Sequence, residues 1–182
     1  MKIGITGGIG SGKSYVCQRL KALRGIDVYD CDAAAKRLIR TSDSLRQQII
    51  RLVGSLNKAD MSRFLLKDEA NAQALNAIIH PAVFRDFEES GMKWMESAIM
   101  YESGISRLVD RVVVVTAPDE VRIRRIIGRD GITREKAQQW MDRQWPQAEV
   151  RRRADYEIVN DGEADIDDQL ITLLNKIDEQ IK

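Results

Sequence analysis

A three-layer α/β/α fold around a mainly parallel sheet is predicted by three features of this 182-residue chain. Short apolar runs alternate with segments of helical period, a glycine-rich turn joins the first run to the first helix, and Val112-Val113-Val114-Val115 reads as a strand covered on both faces. Residues 2–6 form the first short buried strand, and residues 7–12 are too glycine-rich for regular structure. Residues 13–23 follow as a helix, with Val16, Cys17, Leu20 and Leu23 on one face. A second short strand spans 27–29. Helical segments are expected over 33–53 and 60–96, the latter broken near Pro81 because proline lacks the N–H that a helix interior uses. A strand is expected over 97–101, another over 111–116, then two charged helices over 119–129 and 133–144 parted by Asp130-Gly131. Residues 156–159 give the last strand, and Ile166, Leu170, Leu173, Leu174, Ile177 and Ile181 form one stripe on a C-terminal helix.

Composition removes several classes of function. Lys and Arg total 29 against 28 Asp and Glu, a net charge of +1, which argues against a general polyanion binder; no nucleic-acid partner is expected. With 31% charged and 43% hydrophobic residues the chain is neither disordered nor fibrous. No apolar run approaches the ~20 residues of a membrane span, and the opening MKIGITGG shows no signal peptide. Cys17 and Cys31 make no CxxC or metal spacing, so a reducing, cytoplasmic setting is expected. No repeat, linker or feature of an obligate protein partner stands out.

The decisive motif is Gly7-Gly8-Ile9-Gly10-Ser11-Gly12-Lys13-Ser14, which fits G-x-x-x-x-G-K-[ST] between a strand and a helix. Glycines let backbone N–H groups converge on one concavity, and the helix N-terminus adds partial positive charge. Lys13 can reach β- and γ-phosphates, and the Ser14 hydroxyl can ligate Mg²⁺. The motif leaves two classes open, a kinase with an acceptor and a guanine-nucleotide switch. Asn57-Lys58-Ala59-Asp60 fits the guanine-reading N-K-x-D pattern, yet no D-x-x-G lies between Ser14 and Asn57, and no buried strand leads into the tetrapeptide. The switch is therefore set aside.

Asp30 and Asp32 follow the second strand, at the end of the sheet where ligands bind in doubly wound folds. In an extended segment they share a face, so one could serve the metal shell and the other accept a proton. Asp32 before Ala33-Ala34-Ala35 is equally good as a helix cap, and the two readings are compatible.

At this point the chain resembles the dephospho-CoA kinase family. GITGGIGSGKS followed by VYDCDAAAKRL carries the resemblance. It continues through Leu56-Asn57-Lys58, Leu75 to Pro81, Ile99-Met100-Tyr101-Glu102, Val112 to Pro118, Arg125 with Arg129-Asp130, Gln144, and Ala154 to Asn160. The resemblance implies ATP-dependent phosphorylation of the ribose 3′-hydroxyl of dephospho-CoA, with Mg²⁺, on a nucleoside-monophosphate-kinase type of P-loop fold. It implies one domain over 1–182, with a nucleotide core at about 1–32, 97–118 and 154–182, a helical acceptor-side insert at about 33–96 and a lid at about 119–153. It implies ATP contacts from Gly8, Gly10, Ser11, Gly12, Lys13, Ser14, Tyr15, Arg129 and Asn160, the last near adenine. Asp32 aligns with the base, Asp30 with its companion at metal and acceptor, and His80 and Glu102 with the acceptor side. Lys13 and Arg125 would stabilise the transferring group.

Arg122, Arg124, Arg125 and Arg129 lie on one helix, read either as a closing lid or as a solvated charged face. His80, the sole histidine, suits structure or substrate positioning better than acid–base work. Glu102 is expected at a strand end facing the cleft. Trp94, Trp140 and Trp145 are expected to pack. Departures from the family pattern are Lys58 for Arg, Ala98 for Pro, Arg122 for Gln, and Val150 before the run Arg151-Arg152-Arg153, where the family often has Arg. The chain is also short against the family near Gly54-Ser55 and Ser90-Gly91-Met92; segments missing there predict Cα spacings well beyond ~3.8 Å.

Overall fold

The computed structural model describes residues 1–181, without the side chain of Ile181. The elements run β1 (Ile3–Thr6), α1 (Lys13–Arg24), β2 (Val28–Asp30), α2 (Cys31–Thr41), α3 (Asp43–Val53), α4 (Lys58–Lys67), α5 (Glu69–Ser90) and β3 (Trp94–Glu96). A 3₁₀ turn (Ile105–Leu108) leads into β4 (Arg111–Thr116), α6 (Asp119–Asp130), α7 (Arg134–Met141), α8 (Gln147–Arg153), β5 (Tyr156–Val159) and α9 (Ile166–Ile181). Two compact units result: residues 1–29 with the chain from 92 onward, and residues 30–91.

The first unit is built on a five-stranded sheet of order β2-β3-β1-β4-β5. β1 is parallel to β3 and β4, with Ile3 opposite Trp94 and Arg111, and β4 is parallel to β5. The all-apolar run predicted this: β1 is buried throughout and β4 in every residue after Arg111. Ile3, Ile5, Val113 and Val115 pack with Val16 and Leu20 of α1 and with Leu170, Leu173, Leu174 and Ile177 of α9. Each such side chain contributes about 1.5–3 kcal/mol on burial. The stripe expected on α9 is thus in the core as far as Ile177; the Ile181 side chain lies outside the described residues.

The second unit is helical, with Leu45, Ile49 and Leu75 buried and Leu38, Ile39, Phe64 and Ile78 packed around them. Its boundaries correct the sequence reading. Ser42 divides the expected helix over 33–53, its hydroxyl accepting from the Leu45 N–H at 3.3 Å. The break in the next stretch falls at Asp68, which caps α5 through the Asn71 N–H at 2.7 Å, and not at Pro81, which lies inside α5. An interior proline costs ~3 kcal/mol. Buried Leu75 before it, and Val83, Phe84 and Phe87 after it, offset that.

The third strand is also shifted. Residues 98–101 form turns, and β3 lies at Trp94–Glu96, where the helical period of the preceding stretch masked it. The Ser97 N–H still donates to the Ile5 carbonyl at 3.0 Å, extending the ladder by one residue. Gly54 (φ 85°, ψ −7°) and Gly91 (φ 68°, ψ 1°), at the two short places, close α3 and α5 as ordinary left-handed caps. Asn57 is the cap of α4, its side chain accepting from Ala59 N–H at 2.8 Å, and Asp60 pairs with Arg63. The N-K-x-D tetrapeptide therefore opens a helix and is not carried by a strand.

Candidate active site

The loop between β1 and α1 is shaped by close backbone approach. A Cβ on Gly7 (φ 150°) would lie 2.3 Å from the Val115 carbonyl, and one on Gly12 (φ 93°) 2.1 Å from Asn160 Nδ2, so neither position admits another residue without movement. The loop carbonyls are taken up by donors from far along the chain. Arg122 Nε donates to the Ile9 carbonyl at 3.0 Å. Arg125 Nη1 donates to those of Gly10 and Ser11 at 3.4 and 3.3 Å. Asn160 Nδ2 donates to that of Ser11 at 2.9 Å.

In a trans peptide the C=O and the next N–H point to opposite sides. Holding the Ile9 and Ser11 carbonyls outward therefore turns the N–H groups of Gly10 and Gly12 the other way, while the Ser11 N–H closes a turn on the Gly8 carbonyl at 3.1 Å. α1 begins at Lys13, and Gly12 before it gives no side-chain cap, unlike the caps of α2, α3, α4, α5 and α7. A helix start without a side-chain cap suits an anion. Lys13 is buried at the same place, and the exposed Ser14 and Tyr15 open the helix. The Ser11 hydroxyl is buried with no hydrogen-bond partner among the described residues, an unspent polar group beside the cradle. This arrangement fits a polyphosphate.

The network is reinforced around the loop. Arg125 Nη2 donates to Asn160 Oδ1 at 3.1 Å, orienting the amide so that its NH₂ faces Ser11. Gln144 Oε1 accepts from the Ile9 N–H at 2.7 Å, and its Nε2 donates to the Ala98 carbonyl at 3.4 Å. Burial pulls the Arg122 guanidinium below its ordinary range, with Asp119 opposing the shift. Asp161, next to Asn160, is held low chiefly by the N–H groups of Ala164 and Glu163 and also by Arg125.

Other expected residues are engaged elsewhere. Arg129 turns onto its neighbour Asp130 at 2.7 Å, which raises the arginine and lowers the carboxylate. Glu102 lies in the turns after β3, not at a strand end, and accepts from the Trp145 N–H at 3.2 Å. Trp145 stacks on Tyr101 with Arg153 over its ring, while Trp94 is in the sheet core. The basic run is paired: Arg151 with Glu157, and Arg152 and Arg153 with Glu149.

In the helical unit, Asp30 is the cap. Its Oδ1 accepts from the Ala33 N–H at 2.9 Å, whereas Asp32 lies exposed in the first turn of α2. The cap is therefore Asp30 and not Asp32, and the two do not share one extended segment; the helix starts at Cys31, two residues earlier than that view needs. His80 stacks on Phe84, with 6.0 Å between centroids, and burial pushes its pKa down. Among the described residues no cluster of three or more His, Cys, Asp or Glu forms a metal cage. Mg²⁺ carried on phosphates needs fewer protein ligands, and the exposed Ser14 at the loop meets that chemistry.

A family model described as "Dephospho-CoA kinase" matches residues 1–165. The chain belongs to the dephospho-CoA kinase family. A dephospho-CoA kinase of Bacteroides fragilis is 38% identical over 188 aligned positions, covering 96% of this chain and 91% of that protein. A crystal structure from Thermus thermophilus has 30% identity and a TM-score of 0.85, covering 97% and 96% of the two chains. The dephospho-CoA kinase from Campylobacter jejuni, at 21% identity, TM-score 0.64 and full coverage of both chains, shares the fold. Within the dephospho-CoA kinase family pattern Gln144 was visible, but its contact with Ile9 was not. A side chain 135 residues away along the chain leaves no local periodicity to read.

Proposed function

We propose that this chain transfers the γ-phosphoryl group of ATP to the ribose 3′-hydroxyl of dephospho-CoA, giving CoA and ADP, in the cytoplasm. The observation that carries this reading is the outward-held phosphate loop in a chain of this family. Gly8, Gly10, Ser11, Gly12, Lys13, Ser14 and Tyr15 would receive the triphosphate, with Arg125 and Asn160 fixing the loop from behind and Arg129 entering from the lid. Mg²⁺, held by Ser14 and Asp30, would neutralise phosphate charge when bound. His80 and Glu102 would position the acceptor.

Asp32 is proposed as the base. It is exposed and is not the cap of its helix, which leaves its carboxylate available. It takes the proton of the 3′-hydroxyl as that oxygen bonds to the γ-phosphorus; the bond from γ-phosphorus to the bridging oxygen breaks, and ADP leaves. Lys13 would stabilise the charge on the transferring group in a loose transition state, while Arg125, expected there from the family resemblance, is engaged with the Gly10 and Ser11 carbonyls and Asn160 and serves to hold the loop. A helical lid would exclude water. Both thiols, Cys17 and Cys31, would stay reduced in that compartment.

The test is ADP release with dephospho-CoA, nucleosides, nucleoside monophosphates or no acceptor. A rate with dephospho-CoA at least tenfold above every other arm is expected. Equal release in all arms, or faster release with a nucleoside or nucleotide, would overturn the reading.

A further inference from the structure

We propose that Arg122 is a positioning residue of the nucleotide-phosphate site, fixing the tip of the loop for ATP from its place on α6. The proposal deepens the ATP reading given above and rests on it. Three observations carry it. Arg122 is 5% exposed, and its ion-pair partner Asp119, at 3.1 Å, has a side chain 67% exposed. A buried guanidinium with so wet a counter-charge is costly unless the charge serves something nearby.

Second, the guanidinium lies along the loop. Nε holds the Ile9 carbonyl, and a Cβ built on Gly8 would meet Arg122 Nη2 at 2.2 Å and Cζ at 2.8 Å. Gly8 has no positive φ, and its three nearest obstructing atoms all belong to Arg122. A side chain at the second glycine of the motif would therefore have to displace the Arg122 guanidinium, while the glycine's own backbone conformation sets no such demand. Third, Ile9 is gripped at both polar ends, its carbonyl by Arg122 and its N–H by Gln144. The Ile9 N–H is thereby spent on protein, and the peptide joining Ile9 to Gly10 is fixed with its own N–H turned away from Arg122. Arg122 thus sets both the shape and the local charge of the cradle, at the position where the family pattern carries Gln.

The test uses the full-length enzyme and two substitutions, Arg122→Met and Arg122→Gln, with ADP titrated calorimetrically and ATP and acceptor kinetics measured in parallel. Expected for Arg122→Met is a loss of about tenfold or more in ADP affinity and a matching rise in KM for ATP. Its kcat should stay within about threefold and its acceptor KM should not change. Arg122→Gln, which keeps a donor for Ile9 but no charge, should fall between wild type and Arg122→Met.

A second measurement covers misfolding of the Met variant. Gly8→Ala should weaken ADP binding in the wild-type background and weaken it several-fold less in the Arg122→Gln background, where the obstruction is shorter. Unchanged ADP affinity in Arg122→Gln, or an equal Gly8→Ala penalty in both backgrounds, would overturn the proposal. Wild-type enzyme that fails to bind ADP at all would instead overturn the ATP reading beneath it.

Discussion

The phosphate loop and the junction where β2 ends at Asp30 and α2 begins with Cys31 and Asp32 both follow a strand and lead into a helix, yet they are held differently. Loop residues Ile9 to Ser11 are fixed by Arg122, Arg125, Gln144 and Asn160, which are 113 to 149 residues away along the chain. The β2–α2 junction has a bond across three residues, from the Ala33 N–H to Asp30 Oδ1. A group that must receive a charge of fixed shape gains from being held by tertiary contacts, because nothing need reorganise on binding. A carboxylate that must meet a mobile hydroxyl needs reach and exposure more than rigidity, and Asp32 has the exposure.

The largest effect should come from Asp32, at the start of α2. Asp32→Asn should lower kcat by about 10²–10⁴, the usual share of a general base, with ATP affinity within about threefold. An unaffected rate in steady-state assay would remove Asp32 as the base. Lys13→Ala should act on both ATP binding and rate, lowering kcat/KM for ATP by about 10²–10³. The contrast between the two variants is the sharpest form of the comparison, since one separates binding from rate and the other does not.

Asn160→Ala removes the donor to Ser11 and the acceptor of Arg125 in a buried place, and should cost about 1–3 kcal/mol in urea unfolding. Asp30→Ala should cost about 1 kcal/mol through the lost cap, and Asp32→Ala no more than about 0.5 kcal/mol. Equal losses would mean that the cap is shared between the two.

The smallest effect concerns pH. Burial lowers the His80 pKa, so the unfolded chain binds a proton more readily than the native one. Its contribution is intact above the unfolded value of about 6.5 and is lost as pH falls through that value toward the lowered native one. His80→Phe, keeping the stack on Phe84, should flatten the fall in unfolding midpoint between about pH 7 and 5; an unchanged slope would contradict it.

Much of this molecule was legible locally. β1, the loop, α1, β4, β5 and the α9 stripe follow from period and glycine placement. The errors lie where two signals overlapped. Trp94 and Met95 sat at the end of a long helical period, so β3 was placed three residues late. Pro81 read as a break because sequence cannot weigh one missing N–H against Val83, Phe84 and Phe87 in a core. For the site, the phosphate loop was visible because its residues are contiguous. The Arg122, Gln144 and Asn160 contacts were not, because a hydrogen bond to a backbone carbonyl imposes no pattern on the residues around it. Asp30 and Asp32 satisfy the same local capping rule, so the sequence leaves the cap open between them, and the structure starts α2 at Cys31, two residues before the expected start at 33.

The most direct test of the whole account is where the phosphate goes. Wild-type enzyme given ATP labelled in the γ-phosphoryl group and dephospho-CoA should place the label on the ribose 3′-oxygen, one equivalent for each ADP formed. Label released as inorganic phosphate, or found on any other oxygen of the acceptor, would contradict it.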